Sequence, residues 1–178
     1  WYRLTENTPG DTAFSRDTYS YLWQFTASAS QTCDFYDQLH STLTFYKVKR
    51  EVKATSLGNT ETAAQGIAFT LYRQNADSSY SQVGDPLTTG SDGKATTPYL
   101  PIQDENGAIA YYLVESVPTG YTVTYPASAN ITVGESTLSA WGPLTLNALK
   151  SNDLSAQKII NAQNEGQILL LKRQAPDK

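Results

Sequence analysis

Tyr111-Tyr112-Leu113-Val114-Glu115-Ser116-Val117-Pro118-Thr119-Gly120-Tyr121-Thr122-Val123-Thr124-Tyr125 reads as two strands about a turn. Tyr111, Leu113 and Glu115 are spaced by two, and so are Tyr121, Val123 and Tyr125. A period of two puts each set on one face of an extended chain. Pro118-Thr119-Gly120 interrupts the two runs with turn residues. The same alternation recurs at Tyr19, Tyr21, Trp23 and Phe25, at Leu43 and Phe45, at Ile67, Phe69 and Leu71, at Ile131 and Val133, and at Leu144 and Leu146. Gly and Asn turn signals separate these runs, as in Leu57-Gly58-Asn59, Gly90-Ser91-Asp92-Gly93 and Asn106-Gly107. Many short strands at this spacing predict an all-β sandwich with little helix. The best helix candidate, Leu146–Ala156, is poor and reads as a loop with at most one helical turn.

Composition narrows the function classes. The chain has 178 residues and a formal net charge of −4, with 17% charged residues. A nucleic-acid binder needs clustered Lys and Arg for phosphate, and this charge-poor, weakly acidic chain lacks them. No run of 18 or so apolar residues suggests a membrane span. Trp1-Tyr2-Arg3 has neither an initiator Met nor the apolar core of a signal peptide, and Met is absent throughout. A mature or excised piece of a longer protein is therefore expected. One Cys and one His exclude an intramolecular disulfide and leave no set of ligands for a Cys/His zinc site. A Ser-His-Asp triad would depend on His40, which sits in a polar stretch. Twelve Tyr and many Thr, Ser and Val suit pleated, half-buried surfaces.

A weak internal repeat sets the frame. Tyr2-Arg3-Leu4-Thr5-Glu6-Asn7-Thr8-Pro9 and Tyr111 to Pro118 share Tyr-x-Leu-x-Glu-x-x-Pro. Downstream, Phe35-Tyr36-Asp37 parallels Ile159-Ile160-Asn161, and Leu43-Thr44-Phe45-Tyr46-Lys47 parallels Ile168-Leu169-Leu170-Leu171-Lys172. Residues 1–40 then read as the second half of an upstream β module. Residues 41–163 read as a complete module, and 164–178 as the first strand of a following one or its linker.

Strand parity points to chemistry. Leu43, Phe45 and Lys47 share a face, as do Tyr111, Leu113 and Glu115, and Ile159 and Asn161. Each polar group continues an apolar row. One such residue would merely mark a strand reaching water. Three of them, partly repeated as Glu6, Asp37 and Lys172, suggest convergence in a core. Desolvation there disfavours charged Lys and charged Glu. A neutral Lys amine is a nucleophile, and a protonated Glu can polarise the Asn carboxamide oxygen and shuttle protons. The expected product is a Lys–Asn amide, with ammonia lost. Asp in place of Asn would lose water instead, so Glu6 and Asp37 could serve a second site whose Lys precedes Trp1, or is Lys172 if a strand of another molecule completes residues 1–40. Lys49 lies on the Lys47 face and is an alternative, with Lys47 favoured. Asn147, Asn152 and Asn164 rival Asn161 but follow inward apolar pairs less well. The chemistry calls for no metal and no cofactor.

These residues resemble the Cna B-type (SpaA-like, prealbumin-like) domain of Gram-positive surface proteins and sortase-assembled pilins. Leu43-Thr44-Phe45-Tyr46-Lys47 is similar to that family's first strand, and Gly66-Ile67-Ala68-Phe69-Thr70-Leu71-Tyr72 to its second. Ser91-Asp92-Gly93-Lys94 resembles its turn before the middle strands, Tyr111 to Tyr121 its E-box, and Asn161 its near-terminal Asn. The likeness covers about two thirds of the chain, while residues 1–40 resemble the end of a related module. It implies Ig-like or prealbumin-like modules in tandem, on an exported fibre at the bacterial cell surface. It also implies a Lys47–Asn161 isopeptide bond with Glu115 as catalyst, joining the first and last strands where tension enters and leaves. Implied partners are neighbouring modules or pilin subunits. No enzyme acting on external substrates is implied. The alternative is an adhesive module for host matrix protein or glycan, with its loops at Gly120–Gly142 and the 142–158 connection.

The departures are specific. The E-box is one residue shorter than the family's, and Ser116 stands where the family has Thr. A sortase pilin motif presents Tyr-Pro-Lys, whereas this chain has Tyr125-Pro126-Ala127, and no LPxTG signal occurs. An anchor would lie beyond Lys178. Cys33 lacks the Gln motifs that accompany a Cys–Gln thioester and reads as a plain thiol. Trp23 and Trp141 read as packing aromatics rather than a sugar platform. Asp92 and Asp104-Glu105 lack calcium-loop spacing.

Overall fold

The computed structural model describes residues 2–4, 14–15, 21–23, 38–52, 59–147 and 152–164. The described chain is all-β, with several sheets and no helix among the described residues. One large sheet is built on the opening strand Leu43–Val52 and the closing strand Asn152–Gln163, which run parallel. Tyr121–Thr124 flanks the closing strand, and Asn59–Ala63 and Lys94–Thr96 flank the opening strand. The other large sheet is antiparallel, in the order Ser128–Val133, Ser136–Leu144, Tyr111–Glu115, Ala68–Gln74, Tyr80–Gln82. Leu87–Thr88 also pairs with Ala68–Gln74.

The alternating rows explain how the sheets meet. Leu43, Phe45 and Ile159 of the first sheet share one core cluster with Phe69, Leu71, Tyr111, Leu113 and Trp141 of the second. Phe45 and Phe69 pack edge to face across the junction, with centroids 4.8 Å apart. Trp141 is part of this core, as a packing aromatic should be. The central strand Tyr111–Glu115 is buried on both sides, which accounts for its nearly continuous apolar run. Its outward Tyr112 packs with Ile131 and Ala140 in a second cluster, edge to face with Tyr80 at 5.2 Å.

One expectation fails. From Asn152 onward the Leu146–Ala156 region is strand, not loop or helical turn. Asn152 and Asp153 pair with Leu43 and Thr44, and the ladder then slips before Lys158 meets Tyr46. Ser155 and Gln157 lie in that irregular stretch, and their polarity hides the strand pattern. The strand Gln38–Ser41 pairs with Leu100–Pro101 and with Phe14–Ser15, and so spans position 40. Half-buried Asn152 and buried Ser41 tie this segment to the closing strand through a 2.7 Å bond from Asn152 Nδ2 to Ser41 Oγ.

The main chain at Lys47 is held where the neighbours of the opening strand change. Its N–H donates to Gly93 O at 2.8 Å, and its carbonyl accepts from the Ala64 N–H at 3.0 Å. Gly93 has φ +75°, and a Cβ there would stand 2.5 Å from Lys47 O. Gly93→Ala combines a left-handed residue with a backbone clash, costing about 2–5 kcal/mol. A melting curve should show a clear drop. An unchanged melting temperature would mean the turn does not hold Lys47.

Candidate functional site

The opening, closing and Tyr111–Glu115 strands bring Lys47, Asn161 and Glu115 together in the apolar core. Lys47 and Asn161 are both 0% exposed, and the Glu115 side chain is equally enclosed. Lys47 Nζ donates to Asn161 Oδ1 at 2.7 Å. Asn161 Nδ2 donates to Glu115 Oε1 at 2.5 Å. Lys47 Nζ lies 2.7 Å from Glu115 Oε2. That last contact is close in distance but poorly aligned, so Oε2 accepts no hydrogen bond from any described residue. The amide orientation follows from chemistry: an ammonium only donates and so faces the carboxamide oxygen, which turns the NH2 toward the carboxylate.

This differs from the expectation in one respect. Glu115 sits at the carboxamide nitrogen, not at its oxygen, and Lys47 takes the oxygen. The carboxyl group therefore bridges two nitrogens, with one oxygen at the amine and the other at the amide NH2. Such a carboxyl can take a proton from one nitrogen and deliver it to the other.

Burial works against the Lys47 charge. Desolvation pushes the amine down to about 8, partly offset by the Glu115 carboxylate 2.7 Å away. Breaking a buried ion pair is costly, so the three groups depend on one another for satisfaction. Tyr125, buried beside them, accepts a 3.0 Å hydrogen bond from the Glu115 N–H on its hydroxyl oxygen. Burial pushes that phenol up to about 12. Parity placed Tyr125 on the Tyr121 and Val123 row, but nothing in local spacing tied it to Glu115.

The rival residues have other positions. Lys49 is only partly buried, with its ammonium 5.4 Å from the Tyr121 ring centroid. Asn152 accepts from the Asn147 N–H at 2.9 Å and donates to Asn147 O. Asn164 Oδ1 accepts from the Thr122 hydroxyl at 2.7 Å. Glu6, Cys33, Asp37 and Lys172 lie outside the described residues. Among the described residues no cluster of three His, Cys, Asp or Glu could hold a metal ion, and no helix is long and apolar enough to cross a membrane. No family model matches the chain, and no curated protein or solved structure matches it.

Proposed function

We propose that the chain is a structural stalk or pilin module of a Gram-positive cell-surface fibre or adhesin, stabilised by a self-formed isopeptide bond between Lys47 and Asn161. The observation that carries this is the enclosed contact of Lys47, Asn161 and Glu115, an amine, a carboxamide and a carboxyl within reach of one another in a buried core. In this reading the two large sheets form the sandwich of one Cna B-type module in a tandem array. Neighbouring modules or subunits are its partners.

The chemistry balances with these three side chains alone. Lys47 passes a proton to Glu115 Oε2, and the freed amine attacks Asn161 Cγ. The new C–N bond forms as the Cγ–Nδ2 bond breaks. Glu115 returns its proton to the departing nitrogen, takes up the second amine proton and passes it to the released ammonia. One ammonium ion leaves in total, and Glu115 ends as the carboxylate it began as. The reaction runs once per chain and needs no oxidant, which suits a protein with a single Cys.

Intact mass tests this directly. The folded protein should weigh about 17 Da less than its sequence, because amide formation expels ammonia. Digestion should yield a branched peptide joining Lys47 to Asn161. A full sequence mass would refute the proposal.

A further inference from the structure

We infer that Tyr125 is a positioning residue for the cross-linking reaction, its hydroxyl holding the Glu115 main chain so that the carboxyl stays between Lys47 and Asn161. This rests on the reading of the site given above.

The ladder around Glu115 explains why such a residue is needed. Tyr111–Glu115 pairs with Ala68–Gln74 along its whole length, ending at Glu115 opposite Phe69. On its other side it pairs with Ser136–Leu144 only at Tyr111 and Leu113. That strand then turns to Ser128–Val133, with Trp141 meeting Ser128. The next residue, Ser116, donates its N–H to Ala68 O at 2.9 Å, on the paired side. The Glu115 N–H therefore faces the side the ladder has left. A buried N–H without a partner is costly and leaves its strand end free to shift. Tyr125 Oη fills that position.

The second observation is where Tyr125 comes from. It follows directly on Tyr121–Thr124, whose Val123 pairs with Asn161 and whose Thr124 pairs with Ile160. Asn161 and Tyr125 are thus placed by the same pair of strands. Glu115 belongs to the other sheet. The hydroxyl is a short link that sets the catalyst's sheet against the strand carrying the electrophile. A carboxyl that must serve two nitrogens at once tolerates little displacement, since an error of about 1 Å can cost roughly 100-fold in rate.

Tyr125→Phe removes the hydroxyl and keeps the ring in the core. The chain would be made in a cell-free translation, released into buffers from pH 6 to 10, quenched in denaturant at intervals and weighed. At a temperature where both proteins are folded, the variant should lose ammonia about 10- to 100-fold more slowly than wild type. Its alkaline limb should also move below pH 8, because a loosened Glu115 supports the Lys47 charge less. A purely structural role would move neither quantity, but only the melting temperature, read separately in the unlinked Asn161→Ala background. Equal rates and profiles would overturn the inference while leaving the cross-link intact. No mass loss in wild type would overturn the reading of the site and this inference with it. Hydrogen exchange of the wild-type Glu115 amide decides the matter if Tyr125→Phe does not fold: protection is expected, and free exchange would overturn the role.

Discussion

Asn161→Ala should give a folded protein of full sequence mass that melts about 10–20 °C below wild type. The reasoning starts from the loop. Lys47 and Asn161 are 114 residues apart in sequence. A covalent link closing a loop of that size contributes about 4–5 kcal/mol by restricting the unfolded chain, if it behaves as a disulfide does. For a chain of this length each kcal/mol moves the melting temperature by about 2–4 °C. The variant keeps the Lys47–Glu115 pair, so the remaining amine is not stranded without a counter-charge. Calorimetry with intact mass on the same samples separates the contributions. If wild type is linked yet both proteins melt within a few degrees, the bond does not staple the fold.

Glu115→Gln should slow amide formation by about 100- to 10,000-fold, the usual scale for losing a placed general acid–base. Gln fills the same space but cannot carry a proton between the two nitrogens. The pH profile gives a sharper criterion than the rate. In wild type the reactive pair, neutral amine and protonated carboxyl, holds as many protons as the resting pair of ammonium and carboxylate. The rate should thus be flat below about pH 8 and fall above it, where Lys47 loses its proton and none remains for the departing nitrogen. In Glu115→Gln only the amine titrates, so the slow residual reaction should rise with pH and level off once Lys47 is neutral. That plateau should start below pH 8, since Glu115 raises the Lys47 value. A wild-type rate that climbs through pH 8 would show that Glu115 carries no proton in the reaction.

Much of this arrangement was legible from local spacing. Tyr111, Leu113 and Glu115 needed only the alternation of an extended chain to share a face, and the same holds for Phe45 with Lys47 and for Ile159 with Asn161. Burial then bears this out residue by residue. The closing strand was less legible over its first half, because Ser155, Ala156 and Gln157 carry no alternating apolar row. They sit where the ladder with the opening strand slips, and a stretch out of register need not pattern like a strand.

Parity could not choose between Lys47 and Lys49, which lie two apart on one face. The backbone register does not choose simply either: Asn161 is aligned with Lys49, and Ile159 with Lys47. The Lys47 side chain meets Asn161 on the diagonal, inside the core, while Lys49 turns to the Tyr121 ring near the surface. Nor could spacing show that Glu115 addresses the amide nitrogen, or that Tyr125 ends its ladder. By itself the sequence determined an all-β chain with three polar groups pointing inward, because strand periodicity is a property of neighbours along the chain. Only the tertiary structure decided which amine, which oxygen and which hydroxyl meet. Those contacts join residues up to 114 positions apart, and they follow from how two sheets settle their apolar rows against each other.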